Sequence, residues 1–307
     1  MHPYSKIITC LGLPHKLMNW QEISGNWVLI PPNPLGVIHF LGGAFVATAP
    51  QLTYRWLLEN LANHGYIVIA TPFVNTLDHW AIAQSVLKSF EFTLEKLRYL
   101  DLVRKRYLPI YGVGHSMGCK LHLLIGTETG IDRAGNILIS FNNFPANKAI
   151  PFLEQFNQLN TQFNNQFLNP FNKVFNDSNS SNSSNSNLSN NFFNQTIEFT
   201  PNPEETKEII ASSYRIRRNL LVKFRKDDID QTREIFNILD ELFPDMVTIK
   251  RLPGSHTTPI AQDIPWQAGK DFTPLDAMGQ WMKQELVFKE ITQLKQEMVR
   301  WLNPGLQ

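Results

Sequence analysis

The sequence predicts an α/β protein with a mostly parallel central sheet and helices on both faces. From residue 36 onward, short apolar runs that are typical of buried strands alternate with longer amphipathic segments that are typical of helices. Because each strand is followed by a helix-length segment, consecutive strands are expected to be joined by crossovers and to run parallel. The chain has 307 residues and 43% hydrophobic residues, which is enough to bury the core of such a fold.

The predicted elements follow one another along the chain. Strands are predicted at 26–30, 36–40, 66–70, 108–113, 136–141, 219–224 and 246–251. Helices are predicted at 50–63, at 77–100 with Asp78 as N-cap, directly after residue 116, and at 204–214, 231–243 and 275–302.

The alternation breaks after the fifth predicted strand. We interpret 145–215 as an insertion within a single domain that spans 1–307. Its phenylalanines recur about every four residues, which suits a lid-like helix over the site or a helix packed on the body of the protein. Within it, 176–191 is almost entirely Asn and Ser and is expected to be disordered, because it has too little apolar surface to offset its ordering entropy.

Composition narrows the classes of function. A net charge of +1 without a Lys/Arg cluster argues against nucleic-acid binding. No apolar run is long enough for a transmembrane segment, and the first residues lack the features of a secretory signal. The two cysteines, Cys10 and Cys119, lie far apart in the sequence and favour a reducing compartment. We therefore expect a soluble, cytoplasmic protein.

A nucleophile is indicated by Gly114-His115-Ser116-Met117-Gly118, which fits the pattern G-x-S-x-G. The pattern stands between a predicted strand and a predicted helix, which is the context that an exposed nucleophilic serine requires. Glycine is needed at 114 and 118, because a side chain at either position would collide with the neighbouring strand or helix. His115 is expected to pack beside the serine. The alternative is a glycine-rich turn with an ordinary exposed serine.

To act as a nucleophile, a serine hydroxyl needs a base that takes its proton and an acid that orients this base. In enzymes whose serine stands on a G-x-S-x-G turn, these residues follow in the chain order Ser, Asp/Glu, His. Of eight histidines, only His256 follows the strand that could supply the acid. The acid is expected in the loop after 219–224, with Asp227 as first choice, Asp228 as second and Asp230 as third. Asp230 suits best the N-cap of the following helix. The alternative for His256 is an ordinary surface histidine.

Donors for an oxyanion are expected from two backbone segments. One is the amide of Met117, directly after the serine, and the other is the amide of Gly43 or Ala44 in the glycine-rich loop after the second predicted strand. The alternative for this loop is a plain strand-to-helix turn.

Together these residues resemble the α/β-hydrolase superfamily. The stretches 40–59, 227–231 and 256–259 are more closely similar to the uncharacterised DUF1350 family of cyanobacteria and plastids. The superfamily resemblance implies the α/β-hydrolase fold and a triad of Ser116, Asp227 or Asp228, and His256. The family resemblance implies a photosynthetic source but no substrate.

The predicted function is therefore a serine hydrolase that cleaves an ester or thioester through an acyl-enzyme on Ser116, without a metal or organic cofactor. The phenylalanines of the insertion favour an apolar acyl or isoprenoid substrate, and the expected partner is a small-molecule or lipid-like acyl substrate. The alternative from a different class is a non-catalytic binding or assembly protein that keeps the fold. A third possibility is an enzyme that transfers the acyl group to an acceptor other than water.

Overall fold

The protein is described by a computed structural model over residues 18–44, 46–100, 107–149, 198–261, 274–303 and 305, with the backbone alone for 274–284. Within these ranges, eight strands form one sheet in the order β1-β2-β4-β3-β5-β6-β7-β8. The strands are β1 (Gln21–Ile23), β2 (Asn26–Leu29), β3 (Gly36–Leu41), β4 (Tyr66–Ala70), β5 (Ile110–His115), β6 (Gly135–Ile139), β7 (Asn219–Lys226) and β8 (Val247–Ser255).

The sheet is parallel from β4 to β8, and only β1 and β2 at one edge pair antiparallel. Strands β3, β4 and β6 are buried along their whole length, which is why they appear in the sequence as unbroken apolar runs. The predicted mostly parallel sheet is therefore confirmed.

Helices cover both faces of this sheet, as predicted. They are α1 (Pro50–Thr53), α2 (Arg55–Asn63), α3 (His79–Tyr99), α4 (Met117–Ile125), α5 (Pro203–Ser213), α6 (Thr232–Leu242), a 3₁₀ turn (Thr258–Ile260) and α7 (Pro274–Leu302). Helices α2 and α7 pack with alternate strand residues such as Ile38 and Phe40, whereas α3, α4 and α6 pack with the residues between them, which face the other side. None of these helices is long and apolar enough to cross a membrane.

Two elements differ from the prediction, namely strand β1 and the helix predicted at 50–63. Strand β1 was not predicted, since only Ile23 of its three residues is buried. It joins β2 through Ser24 and Gly25, which have φ of 54° and 78°, as expected of a two-residue hairpin turn. The helix predicted at 50–63 is interrupted at Tyr54, whose side chain is completely buried.

Strand β8 continues four residues beyond the predicted end at Arg251, because it stays paired with β7 through a register shift. Lys226 and Ser255, the last residues of the two strands, are partners across the ladder. The residues that follow them, Asp227 and His256, are therefore brought side by side.

The helix at 79–99 is capped as predicted, since the Asp78 carboxylate accepts a 2.8 Å hydrogen bond from the Ala81 N–H. Of the predicted insertion, residues 150–197 lie outside the described ranges, and with them the whole Asn/Ser tract. The Glu198 carboxylate accepts a 2.8 Å hydrogen bond from the Ala146 N–H. The described residues on either side of 150–197 are therefore close to each other. Helix α5, at the end of the predicted insertion, packs Ile210 into the cluster that also holds residues of α4 and α6.

Candidate active site

The predicted nucleophile, acid and base each follow directly on a strand of the parallel sheet. Ser116 comes after β5, Asp227 after β7 and His256 after β8. Since these strands run in the same direction, their carboxyl ends meet at one edge of the sheet. The topology thus brings three residues that are far apart in the sequence to one edge.

Ser116 occupies a strained turn between β5 and α4. Its φ of 55° and ψ of −120° are unusual for a residue with a side chain, and such strain concentrates at functional sites. A Cβ atom on Gly118 would lie 2.1 Å from the Leu41 carbonyl oxygen, and one on Gly114 would lie 2.6 Å from the Cys119 nitrogen. The turn is therefore possible only with glycine at both positions, which is the steric reason given for the motif.

Asp227 and His256 form a hydrogen-bonded pair. The Nδ1–H of His256 donates to Oδ2 of Asp227 over 3.0 Å. The Asp227 side chain is fully buried, whereas 17% of the His256 side chain is exposed. This pairing holds the proton of the imidazole on Nδ1 and leaves Nε2 as the free, basic nitrogen.

The Asp227 carboxylate is stabilised in its charged form. Burial raises the pKa of this group, but the hydrogen bond and the charge of His256, together with the Ile229 N–H, lower the pKa by a larger amount. The resulting pKa of Asp227 lies below its ordinary value. Asp227 is therefore ionised at neutral pH.

The other two aspartates of the loop are not part of this pair. Asp228 is exposed to solvent. Asp230 accepts hydrogen bonds from the Lys223 ammonium at 2.7 Å and from the Thr232 hydroxyl and N–H at 2.7 and 3.1 Å, at the start of α6. Asp230 thus stabilises the first turn of α6, although the N-cap residue of this helix is Gln231.

A chain of buried hydrogen bonds runs through His115. The Gly43 N–H donates to Tyr54 Oη, and Tyr54 Oη lies 2.8 Å from His115 Nδ1. His115 Nε2 lies 2.9 Å from the carbonyl oxygen of His256. A carbonyl can only accept, so Nε2 carries the proton of His115. Burial lowers the pKa of His115 to about 3, so the ring is neutral, its Nδ1 accepts, and Tyr54 donates.

This chain of bonds changes two expectations about the site. His115 was expected to pack beside the serine, but it also bonds to two loops. The amide of Gly43, one of the predicted oxyanion donors, is engaged with Tyr54. The loop nevertheless lies against the nucleophile, since a Cβ atom on Gly43 would be 3.4 Å from Ser116 Cβ.

Asn142 contacts the predicted nucleophile, and the sequence did not predict this contact. Its Nδ2 donates a 3.1 Å hydrogen bond to Ser116 Oγ. Among the described residues, no hydrogen bond joins Ser116 to His256. The signal that could have revealed Asn142 is its place just after β6, the strand next to the nucleophile's strand.

Lys120 lies one turn beyond Ser116 on α4 and is buried. Its ammonium donates a 2.9 Å hydrogen bond to the Pro201 carbonyl oxygen. Burial lowers the pKa of Lys120 to about 7, although the carboxylates of Glu198 and Glu205 act in the opposite direction. Over the described part of the chain, no three His, Cys, Asp or Glu side chains are grouped as a metal site would require.

These features define the chain as a protein of the α/β-hydrolase fold, with a serine elbow after β5 and a His–Asp pair after β8 and β7. A family model described as "Protein of unknown function (DUF1350)" matches residues 19–304. The protein therefore belongs to the DUF1350 family, and this confirms the predicted resemblance. No functionally curated protein matches the chain.

Several solved structures resemble this chain at low sequence identity. The Pyrococcus furiosus esterase Pf2001 is 12% identical, with a TM-score of 0.53 and 94% of each chain covered. Carboxyl esterase 2 from Tuber melanosporum is 15% identical, with a TM-score of 0.49, and the match covers 90% of this chain and 87% of that one. The Staphylococcus aureus serine hydrolase FphF is also 15% identical, with a TM-score of 0.46 and coverage of 85% and 91%.

Proposed function

We propose that the protein is a serine hydrolase that cleaves an ester or thioester through an acyl-enzyme on Ser116. The observation that carries the proposal is the 3.0 Å hydrogen bond between His256 and Asp227, at the same sheet edge as a serine in a strained elbow. A buried carboxylate behind a partly exposed imidazole is what a general base requires. The likeness of fold to a protein named as an esterase supports the same class.

In the first step, Nε2 of His256 takes the proton of the Ser116 hydroxyl while Oγ forms a bond to the acyl carbon. The π electrons of the carbonyl move to its oxygen and give a tetrahedral oxyanion. Asp227 keeps the Nδ1–H of His256 in place and stabilises the imidazolium that forms. Since the lowered pKa keeps Asp227 ionised, this stabilisation is available at neutral pH.

The oxyanion needs hydrogen-bond donors beside the nucleophile. The N–H of Met117 belongs to the first turn of α4, where amides have no acceptor within the helix and the helix dipole favours negative charge. We assign the second donor to Ala44, because the neighbouring Gly43 N–H is used by Tyr54. Each such donor contributes on the order of a few kcal/mol to the transition state.

The imidazolium then gives its proton to the leaving alcohol or thiol as the bond between it and the acyl carbon breaks. Water, deprotonated by His256, attacks the acyl-enzyme, and Oγ recovers its proton as the acid is released. The net reaction adds one water to one ester or thioester. The proposed substrate is a small-molecule or lipid-like acyl compound, and no step involves a metal or cofactor.

A second candidate is a binding or assembly protein that keeps the fold without catalysis. One observation favours it, since no hydrogen bond joins Ser116 to His256 among the residues that the structure describes. Catalysis remains compatible with this geometry, because such bonds often tighten only with substrate present.

A fluorophosphonate probe tests the proposed function. We expect the wild-type protein to be labelled, and Ser116→Ala and His256→Ala to lose the labelling. Ser212→Ala, at an exposed serine of α5, is the matched control and should be labelled like the wild type. A panel of p-nitrophenyl esters and acyl thioesters of increasing chain length then tests hydrolysis. A folded wild-type protein that is neither labelled nor active on this panel contradicts the proposal.

A further inference from the structure

We propose that Asn142 is a further catalytic residue of this site. Its side-chain amide is inferred to hold Ser116 Oγ throughout acylation and to direct the hydroxyl proton toward His256. The inference rests on the proposed function and adds a residue to it. It starts from the 3.1 Å hydrogen bond from Asn142 Nδ2 to Ser116 Oγ, which involves the atom that attacks the substrate.

The order of strands places Asn142 on one side of the nucleophile and the oxyanion loop on the other. Strand β5, which ends before Ser116, lies between β3 and β6. The loop with Gly43 and Ala44 follows β3, whereas Asn142 follows β6. Asn142 is therefore not an additional donor of the same loop. It reaches Oγ from the side of the sheet on which Asp227 and His256 lie.

The backbone around Asn142 is fixed on both sides by the beginning of α6. The Phe141 N–H donates to Thr232 Oγ1 over 3.2 Å, and its carbonyl oxygen accepts from the Gln231 N–H over 2.8 Å. The Asn143 N–H donates to Gln231 Oε1 over 2.5 Å. These bonds hold the backbone of both neighbours and therefore fix the position from which the Asn142 side chain reaches Ser116. Such preorganisation is what a catalytic donor needs.

The direction of this hydrogen bond determines its chemical effect. An amide nitrogen only donates, so it occupies a lone pair of Ser116 Oγ and leaves the hydroxyl proton to point elsewhere. Nε2 of His256 is the basic nitrogen at the same edge. As the proton leaves, the charge on Oγ grows and the bond from Asn142 strengthens. In the acyl-enzyme Oγ is an ester oxygen and a weaker acceptor, so the rate of acylation is the quantity in which the effect is measured.

Two substitutions separate this role from a structural one. Asn142→Ala removes the donor, and we expect the rate of fluorophosphonate acylation to fall about 10-fold to 100-fold. Asn142→Asp keeps the shape but places an acceptor beside Oγ, which competes with His256 for the proton, so the rate should fall further. The added negative charge should also raise the apparent pKa of the acylation profile, whereas the alanine variant should leave it unchanged.

Asn143→Ala is the matched control. The side-chain amide of this neighbouring asparagine donates to the Pro203 carbonyl oxygen, whereas the Asn142 amide donates to Ser116. We expect its acylation rate to stay within about 3-fold of the wild type. This substitution perturbs the same loop but leaves the Asn142 amide that donates to Ser116 in place. The aspartate variant decides the question if Asn142→Ala does not fold.

The outcomes distinguish the two proposals. If the wild type is labelled and the Asn142 variants react at the wild-type rate, the role of Asn142 is overturned and the serine hydrolase stands. If the folded wild type is neither labelled nor active on the ester panel, both are overturned. If Asn143→Ala loses as much rate as Asn142→Ala, the effect belongs to the loop and Asn142 is not a catalytic residue.

Discussion

The Nε2–H of His115 donates a 2.9 Å hydrogen bond to the backbone carbonyl oxygen of His256. The residue before the proposed nucleophile therefore holds the backbone of the proposed base. On its other side, the same ring is bonded to Tyr54, which in turn is bonded to the Gly43 amide. One imidazole thus connects the elbow with the proposed base on one side and with the proposed oxyanion loop on the other.

Removing the Tyr54 hydroxyl should break the connection to the oxyanion loop. In Tyr54→Phe, the Gly43 N–H and His115 Nδ1 lose their buried partner, which we expect to cost about 1–3 kcal/mol of unfolding free energy. The acylation rate should fall about 10-fold, because small displacements of catalytic groups are costly. Chemical denaturation and fluorophosphonate kinetics measure the two effects.

Tyr66→Phe is the control for the loss of a tyrosine hydroxyl. Tyr66 Oη donates a 2.7 Å hydrogen bond to Asn303, away from the elbow. This variant should lose stability but keep the wild-type acylation rate. An equal loss of rate in both variants would contradict the specific link from Tyr54 to the site.

The three aspartates of one loop should respond differently to exchange for asparagine. Asp227→Asn removes the group that fixes the proton of His256 on Nδ1, and the acylation rate should fall about 10⁴-fold. Asp230→Asn should keep most of the rate but lose about 1–3 kcal/mol of stability, because it weakens the contacts to Lys223 and Thr232. Asp228→Asn, at an exposed position, should change neither. A large rate loss in Asp228→Asn would mean that the acid has been misassigned.

Alanine at two glycines of the site should separate folding from activity. In Gly118→Ala the new Cβ atom meets the Leu41 carbonyl at 2.1 Å, so α4 has to move, and we expect a loss of more than about 3 kcal/mol. In Gly43→Ala the nearest atoms are His115 Nδ1 at 3.3 Å and Ser116 Cβ at 3.4 Å. That variant should fold and acylate about 10-fold more slowly. Thermal unfolding and labelling distinguish the two; a normally stable Gly118→Ala protein would contradict the steric account.

Lys120 should make the stability of the protein depend on pH. Its pKa is lowered from 10.5 to about 7 in the native state, so between these values the unfolded chain binds more protons than the native protein. The free energy of unfolding should therefore rise with pH across this window, by an amount on the order of a few kcal/mol. Lys120→Met should flatten the rise. The control Lys88→Met, at an exposed lysine, should retain it in denaturation measured from pH 6 to 10. An unchanged slope in Lys120→Met would assign the pH dependence to another group.

The fold was predictable wherever strands are buried on both faces. Strands β3 and β4 appear as unbroken apolar runs, and their predicted bounds agree with the structure within one residue. Strand β1 carries no such pattern, because it is short and lies at the sheet edge. The break at Tyr54 was not predictable either, since Tyr54 fits the apolar period of a helix while its hydroxyl takes part in a tertiary contact.

The residues of the proposed site could be named from the sequence where the chemistry imposes a chain order. Ser116 has a sequence motif, and Asp227 and His256 each stand directly after a strand. The sequence alone could not select Asp227 from the three aspartates of the loop. Its position beside His256 depends on the pairing of Lys226 with Ser255, which is a matter of sheet register. Asn142 has no motif, and its contact with Ser116 follows from the neighbouring position of β5 and β6.

The hydrogen bond from Ala146 to Glu198 has a practical consequence for engineering. It joins the described residues on either side of 150–197, which lie within the predicted insertion. Closing a loop is entropically cheap when its ends are already held together. This junction is thus a place where a short linker could replace residues 150–197, or a segment from another protein of this fold could be grafted, without redesigning the elbow or the His–Asp pair.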